Sequence, residues 1–154
     1  MENKNEKQVT LINGLIEINN DRIEGYERAM KETDDADLKS LFSSMAGESR
    51  TYRGELISEV ISLNGTPTEG TTTSGKVYRA WMDIKAALSG KDRHAILASC
   101  EFGEDAALEA YDDVLTSDNA LTSKTRDVIV KQREQLQSSH NKIKAMRDAA
   151  KVKS

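Results

Sequence analysis

Apolar residues recur at helical spacing along four long stretches of this chain, and polar or ionisable residues break each stripe near its middle. Val9, Ile12, Ile16, Ile23 and Met30 fall on one line at about 100° per residue, which predicts a first helix over about 9–33 whose stripe skips Asn20 and Glu27. Thr33, Asp34 and Asp35 then form a tight turn, with Asp35 placed to cap the next helix through its carboxylate. The second helix, to Leu63, carries Leu38, Leu41, Phe42, Met45, Tyr52, Leu56, Val60 and Leu63 on its inner face, with Glu48 and Ser49 on or beside it. So short a turn makes the two helices an antiparallel hairpin.

Asn64 and Gly65 stop the second helix, and the Gly- and Thr-rich stretch to Gly75, with Pro67, reads as a loop. Val77, Ala80, Trp81, Ile84 and Leu88 describe a shorter amphipathic helix that ends at Ser89 and Gly90. Segment 65–90 thus has the reach to cross a bundle whose helices are roughly 40 Å long. The third long helix, from about Asp92, aligns Leu97, Cys100, Glu101, Glu104, Leu108, Tyr111 and Leu115, so its inner face is acidic at mid-length. Thr116 to Asn119 make a second tight turn, Thr122 or Ser123 caps the last helix, and Ile129, Leu136, Ile143 and Ala150 mark its stripe. Gln132 and His140 share that line. The predicted architecture is all-α: two antiparallel hairpins joined by a long crossover that contains a short helix.

Composition narrows this picture without changing it. The 154 residues fit one domain over 1–154, with an ordered core over about 9–150. A single proline and 31% charged residues suit soluble helix rather than sheet. The net charge of −4, with acids and bases interspersed, gives no basic face, so neither nucleic acid nor an anionic membrane is an expected partner. Met1 to Gln8 is almost wholly polar and reads as no secretory signal, which makes the cytoplasm the expected location. Cys100 is the one cysteine, lies in an apolar stripe, and reads as a small buried residue rather than a nucleophile.

The chemistry, if any, belongs to the interrupted middle. Measured from the turns, Asn20, Ser49, Glu104 and Gln135 lie at similar heights, with Tyr52, Glu101 and His140 close to that level. On one reading these are metal ligands: Glu48, Glu101 and Glu104 as hard oxygen donors and His140 as the imidazole, with Glu17 or Glu27 in support, for iron or manganese and redox chemistry. The chain has no Glu-x-x-His pair, however, since Gln137 precedes His140 at that spacing and Lys91 precedes His94. On the other reading the same residues bond one another and Arg53, Arg133 or Arg147, fixing helix register without doing chemistry or holding a cofactor. Glu17, Asp21 and Glu24 stand off the first helix's stripe and read as a solvated acidic face. Arg79 and Trp81 offer a recognition surface, or else pack against the bundle.

Several segments together resemble a known family: Leu15-Ile16-Glu17, Gly25-Tyr26, Leu38-Lys39 with Phe42, Glu55-Leu56, the run from Gly75 to Lys85 with Arg79 and Trp81, the block from Glu101 to Asp105, then Tyr111 and His140. The chain is similar to a bacterial ferritin-like four-helix-bundle family that carries a domain of unknown function and occurs among stress-associated proteins. The resemblance implies the fold and the long crossover, and supplies no catalytic residues. It would place a histidine where this chain has Tyr78 and a glycine where it has Arg22. The expected function is a non-enzymatic structural or binding role, stress-related and homodimeric, with the metal protein as the alternative.

Overall fold

The computed structural model describes residues 3–72, 75–117 and 120–150, and these contain five α-helices and no strand. They are α1 (Lys4–Glu32), α2 (Ala36–Ser62), α3 (Gly75–Gly90), α4 (Arg93–Leu115) and α5 (Ser123–Ala149). Side chains set most of the boundaries. Asn3, Asp35, Asp92 and Thr122 each accept a hydrogen bond from a first-turn amide, satisfying donors that a helix start leaves open. Helix α2 ends with Asn64 in the left-handed region (φ 62°), its amide bonded to Ile61 and that of Gly65 to Val60, which is the Schellman stop. Gly65 is required there by contact too, since a Cβ would lie 2.7 Å from Val9. The predicted turn after α4 extends over Asp118 and Asn119, which lie outside the described residues.

Contacts fix the directions of the helices. Along α1 and α2, Asn20 meets Arg53 and Glu27 meets Arg50, so one numbering rises as the other falls. Between α4 and α5 the same holds for Tyr111 with Gln132, Asp105 with His140 and Glu101 with Arg147. Both hairpins are therefore antiparallel, as their sequence predicts. They dock through α1 on α4 and α2 on α5, giving each long helix two long neighbours, and α3 covers α1 and α4.

The buried residues on each long helix follow an alternation of three and four. On α1 and its following turn the line is Gln8, Ile12, Leu15, Asn19, Arg22, Tyr26, Ala29 and Thr33. On α5 it is Thr125, Ile129, Gln132, Leu136, Ser139 and Ile143, and α2 and α4 carry equivalent lines through Ser49 and Glu104. This heptad spacing is that of side chains meshing across a helix seam. The first-helix stripe inferred from apolar residues is buried at Ile12, Ile16 and Ile23 and half-buried at its ends, Val9 and Met30, and the innermost row beside it also takes in the polar Asn19 and Arg22. The apolar core is accordingly split. One half gathers Tyr26, Phe42, Met45, Leu97, Cys100 and Ile143, the other Ile12, Leu15, Leu56, Tyr111, Ile129 and Leu136.

The crossover runs the length of α1 and is stitched to it by polar side chains. Asn13 donates to the Thr66 carbonyl and accepts from the Thr68 amide, Asn20 donates to the Gly70 carbonyl, and Asp21 accepts from the Thr72 amide. Helix α3 then turns Ala80, Ile84 and Leu88 inward, while the Trp81 ring lies flat on Gly25. A Cβ at position 25 would stand 2.5 Å from three ring carbons. Gly25→Ala should therefore displace the indole. Overpacking costs about 1–3 kcal/mol and the helix preference of alanine returns up to about 1, so we expect a net loss of up to about 2 kcal/mol in urea unfolding and a red-shifted Trp81 emission.

Candidate functional site

Between the two half-cores lies a buried ion pair. Arg22, 2% exposed, sends Nε to Glu104 Oε2 at 2.9 Å and Nη2 to Glu104 Oε1 at 2.6 Å, and Glu104 is itself 1% exposed. This is the two-pronged guanidinium–carboxylate geometry, stronger than a single charged hydrogen bond. Nη1 donates to Ser49 Oγ at 2.5 Å, and Nη2 lies 3.7 Å from both Met45 Sδ and Glu48 Oε1. The guanidinium also stands 5.6 Å from the centroid of the Tyr26 ring, within cation–π range. Burial is the largest single influence and opposes its charge, but Glu104, Tyr26 and Glu48 together outweigh it and hold Arg22 charged.

The same burial, with Glu104 adjacent, pushes the Tyr26 hydroxyl and the Cys100 thiol well above their ordinary ranges. Cys100 is thus a protonated, enclosed thiol, a poor nucleophile. The fully buried Tyr26 hydroxyl has no hydrogen-bond partner among the described residues.

Two further polar layers lie toward the start of α1. In the nearer, Asn19 bonds the Tyr111 hydroxyl at 2.9 Å, Tyr111 donates to Gln132 Oε1 at 2.6 Å, and Gln132 donates to the Tyr52 carbonyl and to Glu55. In the farther, Gln8 accepts from Thr122, and Thr125 donates to buried Glu59 at 2.9 Å.

The residues singled out from sequence fall into two separate groups. Glu48 and Glu104 flank Arg22, and Glu48 also accepts from Ser139 Oγ at 2.7 and 2.9 Å. Glu101 and His140 sit at the rim of the α4–α5 seam, where Arg147 pairs with Glu101 and His140 Nε2 lies 2.7 Å from Asp105 and 3.8 Å from Glu101. Each carboxylate already has its own partner, and among the described residues no three His, Cys, Asp or Glu side chains form a group able to hold a metal ion. Glu27 pairs with Arg50 at the surface, and Gln135 is exposed. Asn20 turns toward the crossover and Arg53 rather than toward the centre. Arg133 pairs with Asp112 on α4.

Arg22 is what the sequence reading missed. Its signal was the three–four spacing from Leu15 through Asn19 to Tyr26, which an apolar criterion passes over because two of its members are polar.

The acidic flank of α1 is also corrected. Asp21 is not on an open face but half-buried beneath the crossover, and burial, with Glu24 and Glu17 adding repulsion, pushes its carboxyl up to about 7 despite the Thr72 amide. Trp81 meets the edge of Tyr26 with ring centroids 5.0 Å apart, while Arg79 is exposed.

The fold and this site define an all-helical protein organised about a buried guanidinium–carboxylate pair; among the described residues no helix is long and apolar enough to cross a membrane. The chain belongs to the family described as Domain of unknown function (DUF2383), whose model matches residues 7–117. Arg22, Ser49 and Glu104 lie inside the matched stretch, and α5, with Gln132 and Ser139, lies beyond it. No curated protein matches the sequence.

Removing one partner of a buried pair leaves the other charge unpaired, a loss of about 3–5 kcal/mol. Arg22→Met should lose that much in urea denaturation, whereas Arg22→Met combined with Glu104→Leu should recover most of it. Asp21 gives a pH signature of definite sign. Its folded value of about 7 lies above the ordinary 3.8, so the native state holds the extra proton and loses stability as pH rises through that interval. Asp21→Asn should therefore melt above the wild type near pH 8, by a margin that closes toward about pH 4.

Proposed function

We propose that the protein is a ferritin-like four-helix bundle with a non-enzymatic structural or binding role, and that its central polar layer serves architecture. The observation that carries this reading is the bidentate Arg22–Glu104 pair. A metal in the middle of such a bundle would be neutralised by inward carboxylates, and here the innermost carboxylate is neutralised by a guanidinium on the adjacent helix. Ser49 and Glu48 complete the shell around that cation, leaving none of its three nitrogens without a polar or sulfur neighbour. The enclosed, protonated Cys100 supports the same view, since it offers no reactive thiol.

We place the protein in the cytoplasm, in a stress-associated setting and as a homodimer, with neither nucleic acid nor membrane as partner. The excluded partners follow from charge balance, the location from composition and the stress-associated setting from the family resemblance, and the homodimer rests on the inner face of α2, whose alternating large and small residues suit pairing between chains as well as within one. The alternative is an iron or manganese centre on Glu48, Glu101, Glu104 and His140, which requires Arg22 to leave Glu104 and the two groups of ligands to converge.

Untagged protein analysed for bound metals before and after anaerobic incubation with ferrous iron separates the two readings. We expect no stoichiometric metal in either state. Iron or manganese near one equivalent, lost in Glu104→Ala, would replace the architectural reading with the metal one.

A further inference from the structure

We propose that the cavity between α1, α3 and the crossover loop binds a small organic cation, an amine carrying an apolar or aromatic body. This cavity lies outside the central polar layer, so the proposal stands whether or not that layer is architectural. Its volume of about 240 Å³ falls just under the roughly 300–1,000 Å³ of pockets that take drug-sized molecules, which limits the occupant to a small one.

The chemistry of the occupant follows from the walls. Trp81 forms the apolar side, its ring fixed flat by Gly25 beneath it and by the edge contact with Tyr26, and it remains only partly covered. Tyr78, 67% exposed, stands at the mouth. Asp21 and Glu24 supply carboxylates at the same cavity. Aromatic faces beside carboxylates attract an ammonium group twice over, through the negative face of the ring and through direct charge pairing.

Asp21 gives the site its sign. It is half-buried, its hydrogen bond comes from the Thr72 amide at 3.3 Å, and no basic side chain among the described residues forms an ion pair with it. Glu17 and Glu24 crowd it with like charge, so its carboxylate is both desolvated and repelled. A bound ammonium would relieve both costs. Arg28 and Lys85 also border the cavity but, like Glu24, are exposed, where water and salt screen them far more than they screen Asp21, so the half-buried Asp21 carries most of the attraction and Glu24 a smaller share.

Trp81 is the one tryptophan of the chain, so its emission reads occupancy directly. The full-length protein would be titrated near pH 8, where Asp21 is ionised, with phenethylammonium and, separately, with 3-phenylpropionate, which has a similar body and the opposite charge. We expect a saturable shift with the ammonium and none with the carboxylate. Asp21→Asn should weaken binding on the order of tenfold, the scale of one charge-assisted hydrogen bond, and Glu24→Gln by a smaller factor.

No saturable shift with phenethylammonium, or equal binding of phenylpropionate, would overturn the proposal. So would full affinity in Asp21→Asn that folds by circular dichroism. If that variant does not fold, Glu24→Gln on the exposed turn decides: weakened binding upholds the site and unchanged binding overturns it.

Discussion

A buried positive charge has to be answered inside the protein, and the arrangement around Arg22 follows from that requirement. A guanidinium at 2% exposure forfeits its hydration, and only a carboxylate at hydrogen-bond distance together with further acceptors restores what it loses. Glu104 comes from α4 and Ser49 from α2, so the charge is satisfied only when α1 stands at one height against both neighbours. Apolar seams tolerate sliding by a heptad, because leucine against isoleucine packs nearly as well as the reverse. A charged position does not tolerate it, since a slipped α1 would bury Arg22 against the aliphatic half-cores. The layers through Asn19, Tyr111 and Gln132, and through Gln8, Thr122 and Glu59, add weaker constraints of the same kind.

This also explains why the apolar core falls into two parts. Tyr26, Phe42 and Leu97 belong to one half and Leu15, Leu56 and Ile129 to the other, with the charged layer between them. The aromatic side of Tyr26 faces the guanidinium as a π-acceptor while its ring stacks on Phe42, so it joins the polar middle to the apolar end. Trp81 carries that stack outward onto α3, linking the centre to the crossover through contiguous rings.

Much of the architecture is legible in the sequence because local rules decide it. Asp35 caps α2, Asn64 and Gly65 end it, Asp92 and Thr122 start the last two helices, and apolar spacing supplies the rest. The site was less legible, for a physical reason. An apolar criterion finds the rows that are buried because they are greasy, and it ranks Asn19 and Arg22 as outward because they are polar. Glu104 was found because Cys100, Leu108 and Tyr111 surround it in its own row, but its partner is 82 positions away and no helical period connects them. His140 illustrates the opposite error. Its row is inward at Leu136 and Ile143, yet a one-residue displacement brings it to the rim beside Asp105 and Glu101. The acidic flank at Asp21 was misread because the loop that covers it has no periodicity from which its path could be deduced.

The three–four alternation has one more consequence, for the width of the face that α1 buries. A straight α-helix has 3.6 residues per turn, so a seven-residue row drifts around it by about 20° per heptad. Between Gln8 and Thr33 that drift would amount to about 70°, enough to carry one end of the row out to solvent. Both ends are nevertheless buried, at 0% and 7% exposure. The drift is absorbed instead by the width of the covered face: α2, α4 and α3 all lie against α1, Ile16, Ile18 and Ile23 beside the row are buried as well, and Arg22 and its seven row-mates stay within one enclosed sector from end to end.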